Sequence, residues 1–537
     1  MMQVQLQGRW ISVSEGKTIY DCLKEQGREM DFFAAISEGE LLDLRTPLQE
    51  GMRVELITAE NDIAKLMQEK TLCFVIIVAM RQLCPHLQVR IEHSLDNGIY
   101  CEFDHGTPDE TMVHALQTRM RALIAEKHVI TRRYLPRERA AALFDRLGMH
   151  DKALNMRHRK AQRCAVDTLC GVDDYFYGHL CVHTGYLSTV YAVLMKKGCW
   201  IGFHADPKPQ DKLFAVYDTY ERWGRKLSIT NVPQLNAKAS ADGIDELILM
   251  SEAKIERELV ELSDRIARQH PFRRFVLISG PSSAGKTTFS HRLKTHLRVL
   301  GYQPHAIAMD DFFINRSEYP LLADGTPDLE SLDAVDLPLL QETIHGLLAG
   351  KAMPMPHYNF QSGCREWRGD TLQIGKQDLL IMEGIHGLNP NVIKGFAKEE
   401  VFRIYVNALT HLNLDAHTRI PTSDYRLIRR MVRDYQFRGY SAQQTLKGWR
   451  HVRDGEDRYI YPYQEEADVI FNTSMVYEML ILKKTAVRLL ESISVQDAAY
   501  VEAQRLLSLL QYFDSADSTH IPSHSILAEF VGNSVFF

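Results

Sequence analysis

Gly280-Pro281-Ser282-Ser283-Ala284-Gly285-Lys286-Thr287 is the stretch on which the fold turns. Its spacing, G-x-x-x-x-G-K-[ST], lets a glycine-rich backbone approach an anion closely and aims N–H groups and a helix N-terminus at it. The flanks agree. Residues 275–279 form an apolar run with a β-branched and aromatic bias, which predicts a buried strand, and 287–300 have a helical pattern. Strand, loop and helix in that order make a phosphate cradle of Gly280, Ser282, Ser283, Ala284, Gly285, Lys286, Thr287 and Thr288. Lys286 would reach the β- and γ-phosphates of ATP, and the Thr287 hydroxyl would hold Mg²⁺.

Outward from the loop, strand signals at 275–279, 305–309, 379–382, 402–406 and 469–471 alternate with helical ones. This predicts a parallel sheet with helices on both faces and a ligand site beyond the carboxyl ends of the strands. Asp310 and Asp311 fall at that edge, where a carboxylate can take the proton of an acceptor hydroxyl or can cap a helix. Glu383 ends the third strand. An acid there sits near a phosphate-bound metal, or else bonds to backbone. Residues 426–439 place Arg426, Arg430 and Arg433 on one helical face, with Arg429 four residues before Arg433. Such a helix serves as an arginine lid over transferring phosphate, or as a solvated or RNA-binding face.

The whole chain has 537 residues, 45% of them hydrophobic, and a net charge of −6. The length predicts about three domains, and the charge gives no global pull toward nucleic acid or anionic lipid. Nine cysteines without a paired C-x-x-C framework suit a reducing compartment. The N-terminus lacks a basic, then apolar, leader pattern, and the longest apolar stretch, 72–80, is too short to span a bilayer. These features predict a cytoplasmic protein with no membrane association.

Residues 1–60 read as a small α+β module, with strands at 4–6, 10–13, 41–44 and 53–57 and a helix at 18–26. The runs 36–44 and 54–58 resemble the ubiquitin-like TGS domain. In 61–225, a helix is expected at 64–83 and strands at 89–91 and 98–103, and residues 74–103 resemble part of the editing domain that follows TGS in threonyl-tRNA synthetases. That family carries a zinc-binding His-x-x-x-His pair where Lys70 and Phe74 stand here, and neither can bind zinc as an editing site would. The resemblance leaves RNA contact through these domains as an expectation. Cys164, Cys170, His179, Cys181 and His183 offer either a metal site or structural groups in a strand-rich segment. The basic run Arg157-His158-Arg159-Lys160 offers either an RNA contact or a solvated helix face. Residues 244–267 pattern as one amphipathic helix within a 226–270 connector. Helices and an apolar tail, 523–537, follow in 481–537, and the tail is expected to dock on its own chain or on a twin subunit.

The loop, Ile307-Ala308-Met309-Asp310-Asp311-Phe312-Phe313, Pro356-His357-Tyr358-Asn359-Phe360, Glu383-Gly384-Ile385, the arginine helix and Ala467-Asp468-Val469-Ile470 together resemble the uridine kinase and phosphoribulokinase family. The implied architecture is multidomain, α+β and α/β: a ubiquitin-like TGS domain, an α+β editing-like domain, and a P-loop kinase domain at 271–480 with a parallel sheet and a helical lid. The resemblance implies Asp310 as base toward a nucleoside 5′-hydroxyl, Lys286 and Arg433 in catalysis, and Arg438 on phosphate. It puts Glu383 with Thr287 near Mg²⁺, Arg430 and Glu330 at the ribose, and Tyr358 and Phe360 at the base. Three positions depart from uridine kinases: Glu330 replaces an aspartate, Gly363 a histidine and Tyr440 an arginine. The last two remove polar contacts to a pyrimidine and unsettle base preference. A nucleotide-gated RNA-binding regulator and a kinase for another hydroxyl, such as a sugar phosphate or a pantothenate-like acid, are the other functions the sequence allows.

Overall fold

The computed structural model describes every residue except 105, 242, 270, 271, 323, 324, 518 and 537, together with the side chain at 241. Phe537 of the apolar tail and the 270/271 junction expected before the kinase domain therefore lie outside the described residues.

The five expected strands around the loop all form. Their spatial order is Pro304–Ala308, Leu379–Glu383, Phe275–Ser279, Val401–Asn407 and Val469–Asn472, every neighbour parallel. The central strand is buried at all five positions, as its unbroken apolar run requires. The next two strands in the chain lie on one side of it and the last two on the other. The crevice above Ser279 is thus a point where strand order reverses, which is where such sheets bind ligands. Helix Ile244–Ala267 lays Leu247, Ile255, Leu259 and Ile266 into the same core as Val276, Ile278 and Leu293. It is clamped by Arg292, which donates to Glu256 at 2.6 Å and Glu252 at 3.2 Å.

Upstream, Arg9–Val13, Met2–Leu6, Arg53–Thr58, Phe32–Ser37 and Glu40–Leu42 form a mixed five-stranded sheet in that order, with helix Ile19–Glu25 against it. Helix Asp62–Leu83 then joins two cores. Ala64 and Met67 pack with the first sheet, and 72–80 fill a second core with the strands Val89–Leu95, Gly98–Phe103 and Gly198–Gly202. Being enclosed, the run 72–80 needs no polar face. No helix among the described residues is long and apolar enough to cross a membrane.

One excursion from the parallel-sheet region reaches back into this N-terminal part. Asn413–Asp415 and Thr418–Arg419 form a small hairpin. Asn413 Nδ2 donates to Ile91 O at 3.0 Å, Ile91 N to Ala416 O at 2.9 Å and Arg419 to Glu69 at 2.9 Å. Lys152 is bonded to Asp174 and lies 3.4 Å from Asp415, and His417 Nδ1 meets Asp174 at 2.7 Å.

One expectation fails and one element went unread. The segment 175–183 is irregular rather than a strand: its aromatic residues plug the core, and its backbone is satisfied piecemeal, Cys181 N by Thr71 Oγ1 at 3.0 Å and Val182 O by Ile130 N at 2.9 Å. The interval 353–372, for which the sequence reading named no strand, contains the antiparallel hairpin Met353–Asn359 with Cys364–Leu372. Two prolines and a run of charged residues hid its alternation.

Candidate active site

The loop leaves the central strand and ends at Gly285, which takes φ +79° and stands before the helix Lys286–Val299. A Cβ at Gly285 would lie 2.6 Å from Ile526 Cγ2, so glycine is required both for the turn and for the approach of that residue. Ser283 adopts φ 59° without being glycine, a backbone state usually kept where the surroundings enforce it. Lys286 Nζ folds onto the loop it follows and donates to Gly280 O at 2.9 Å and Pro281 O at 3.1 Å.

Four acids surround that ammonium. Glu383 is in register with Ile278 of the central strand and Ala308 of the outer one, so it projects at the carboxyl edge. Its Oε1 accepts from Thr287 Oγ1 at 3.0 Å, while its Oε2 is buried with no partner among the described residues. Burial pushes Glu383 up to about 7, Asp310 adding to the rise and Lys286 opposing it. Glu330 is also pushed up to about 7 by burial, against Arg430 and Lys286. Asp310 is raised by burial against the pull of Lys286 and Arg438. Burial lowers Lys286, and Glu383, Asp310, Glu529 and Glu330 do not restore it. The pocket is therefore rich in acid for one lysine. An orphaned carboxylate oxygen beside a hydroxyl fits a hard divalent cation, and Glu383 with Thr287 would hold it.

The adjacent acids Asp310 and Asp311 separate by direction. Asp311 Oδ1 accepts from Tyr358 N at 3.2 Å and lies 3.3 Å from His357 Nδ1, so it fastens the hairpin. Asp310 faces the charges of Lys286 and Arg438. Neither caps the short turn Met309–Phe312 in which they sit.

The arginine helix, Thr422–Phe437, splits by depth. Arg426 and Arg429 are fully buried braces. Arg426 holds Glu456, Tyr461 OH at 2.8 Å and the loop carbonyl of Ser282 at 3.1 Å. Arg429 holds Glu478 and the carbonyl of Thr473 at 2.9 Å. Arg430 donates to Ser282 Oγ at 2.8 Å. Arg433 donates to Asp434 at 2.7 and 2.9 Å, and Arg438 lies 3.7 Å from the same carboxylate. The single face of Arg426, Arg430 and Arg433 is thus not one surface: the first is spent inside the core.

At the acceptor end, Tyr358 is buried with its hydroxyl on Tyr319 OH at 3.0 Å, whereas Phe360 is 58% exposed, its ring centroid 5.1 Å from that of Tyr358. Gly363 has φ +70°, and Arg316 lies across it, within 3.2 Å of where a Cβ would be. Arg316 also donates to Phe360 O at 2.8 Å. A guanidinium therefore stands where the sequence showed only a lost histidine. His386, three residues past Glu383, was also missed. It is buried, burial holds it down at about 4, and Lys286 is near it. Its place after Glu383-Gly384-Ile385 was the available signal.

Cys164, Cys170, His179, Cys181 and His183 form no metal-holding group among the described residues. Cys164 and Cys181 are core residues, Cys170 is exposed and His179 Nδ1 meets Arg132 at 3.1 Å. Lys70 donates to Tyr177 O at 2.6 Å, and Phe74 is fully buried. In the basic run, Arg157 pairs with Asp145 and Arg159 donates to Tyr175 OH at 2.8 Å.

Residues 275–479 match the Phosphoribulokinase / Uridine kinase family. A uridine kinase of Lactobacillus johnsonii is 28% identical over 196 residues, which is 36% of this chain and 83% of the relative. A uridine kinase of Deinococcus deserti is 28% identical over 200 residues, 37% of this chain and 87% of the relative. A solved structure described as a possible uridine kinase from Bacillus stearothermophilus is 21% identical and covers 40% of this chain and 98% of its own, with a TM-score of 0.29. The matched segment, with its parallel sheet and P-loop, is similar to the kinase domain of that family. The chain is a phosphotransferase with an alcohol acceptor.

Proposed function

We propose that the chain transfers the γ-phosphate of ATP to the 5′-hydroxyl of a nucleoside. The observation that carries this is Asp310, which sits just past the carboxyl end of its strand under the charge of Lys286 and, among the described residues, has no side-chain hydrogen bond that would occupy it structurally. Gly280, Ser282, Ser283, Ala284, Gly285 and Thr288 cradle the phosphates of ATP. Mg²⁺, held by Thr287 and Glu383, would supply positive charge at the β- and γ-oxygens. Lys286 leaves the Gly280 and Pro281 carbonyls for phosphate oxygens, and Arg433 and Arg438 offset charge on the group in flight. Asp310 accepts the acceptor's proton at its carboxylate. Arg430 and Glu330 orient the ribose, and Tyr358 and Phe360 flank the base. Arg316 beside Gly363 supplies donors that uridine kinases place differently, so the preferred base need not be uracil.

The N-terminal parts are assigned as a ubiquitin-like TGS domain (1–60) and an editing-like domain (61–225) without zinc ligands. The 226–270 connector, the 271–480 kinase domain and the 481–537 tail follow. The RNA-binding regulator has less support, because Arg157 and Arg159 are already engaged within the fold.

The test is ATP consumption against a panel of ribonucleosides, deoxyribonucleosides and sugar phosphates. A nucleoside should stimulate turnover and emerge as its 5′-monophosphate. Stimulation by a sugar phosphate alone would overturn the acceptor assignment.

A further inference from the structure

The C-terminal tail returns to the loop. Residues 525–528 and Phe530 are buried, with Ile526 against Gly285 and Phe530 under the Arg429 guanidinium at 5.1 Å. Phe536 stacks on His291 of the loop's own helix, centroids 5.1 Å apart. This packing delivers one acid. Glu529 Oε2 accepts from Thr288 Oγ1 at 2.7 Å and from Thr288 N at 3.3 Å. Thr288 is the third residue of the helix that follows the loop, and its backbone N–H is one of those that nothing within the helix can satisfy. A helix of this kind offers such N–H groups to nucleotide phosphate. A carboxylate contributed from 241 residues away has taken that place. It also adds a negative charge beside Lys286 and Glu383.

We propose that the tail is a built-in competitor of the nucleotide: Glu529 stands in for a phosphate at Thr288 and must withdraw before a nucleotide can seat fully. This rests on the assignment of the loop to a nucleotide and goes beyond it. No covalent step is involved. The glutamate holds the helix N-terminus by hydrogen bonds and charge, Ile526 and Phe530 hold the glutamate there, and a triphosphate contests the same donors with greater charge. Resting affinity for nucleotide is thereby set below what the loop alone would give, and anything that draws the tail away raises it.

The test is equilibrium binding of a fluorescent ATP analogue with Mg²⁺ to the full chain, to Glu529→Gln and to Ile526→Ala. Glutamine keeps an acceptor for Thr288 but removes the charge, and alanine loosens the tail's seat without touching the acid. Both should tighten Kd, Glu529→Gln by about tenfold, the scale of an anion at a helix N-terminus competing with another. Hydrogen exchange of the full chain should show residues 526–531 losing protection when ATP is saturating. An unchanged or weakened Kd in Glu529→Gln, or a tail that stays fully protected with ATP bound, overturns the proposal. Tighter binding with no nucleoside-dependent turnover supports it while overturning only the acceptor. Absence of nucleotide binding in every variant overturns both.

Discussion

Lys152 and Lys286 both stand among acids, and the two come out with opposite electrostatics. At the seam with the N-terminal part, Lys152 is almost wholly buried and bonded directly to Asp174. Burial lowers its affinity for the proton, but Asp174 and Asp415 outweigh burial and raise it. Burial pushes Asp174 up, yet Lys152 and His417 hold it well below the usual carboxylate range. In the pocket, Lys286 gives its hydrogen bonds to two loop carbonyls rather than to a carboxylate, and there burial wins on both sides. The lysine falls, while Glu330 and Glu383 rise to about 7. A contact pair stabilises both charges, whereas acids held at a distance from their cations remain unsatisfied. The first arrangement locks a seam. The second is poised for an incoming charged group.

That contrast can be broken at either lysine. Lys286→Ala should cut phosphotransfer by at least ~10³-fold, because it removes the charge that meets the phosphate. Thermal unfolding should barely move, and a large loss of stability would make Lys286 structural after all. Asp310→Asn should lower kcat by about 10²- to 10³-fold while KM for ATP stays close to wild type. Full activity would remove it as the base. Lys152→Met should do the reverse, costing about 3 kcal/mol in denaturant unfolding by stranding a buried carboxylate, with KM for ATP unchanged in the folded fraction.

The smallest effect separates the regions by pH. Glu383 is raised in the folded state, so its contribution to stability is present below the ordinary carboxylate range and is lost as pH rises through about 7. Asp174 is depressed, so its contribution is present above that range and is lost on acidification. A cation binding at Glu383 must displace its proton, so affinity for Mg²⁺-ATP should improve up to about tenfold from pH 6 to pH 7. Glu383→Gln should flatten that dependence when binding is titrated at both pH values. A dependence retained in Glu383→Gln would assign it to another group.

The loop, its strand and its helix were legible in the sequence because each is local: eight residues, an unbroken apolar run and a 3.6-residue period. The acids at the strand ends were legible because strand ends define the crevice. What escaped detection was paired across long separations. Arg426 and Arg429 have the spacing of a phosphate-facing helix, but their partners Glu456 and Glu478 lie 30 and 49 residues on and draw them inward. Arg316 over Gly363 and Glu529 on Thr288 depend on how loops return to the site, which no period encodes. The hairpin at 353–372 was disguised by Pro354 and Pro356.

The helix Ile244–Ala267 and the tail that returns to Gly285 both lie outside the segment shared with known kinases, yet one covers its sheet and the other its nucleotide loop. Dissection at those family limits would uncover Val276, Ile278 and Leu293 along one flank and leave the hollow that receives Ile526 open. The parallel-sheet unit of this chain is therefore not divisible where its likeness to that family ends.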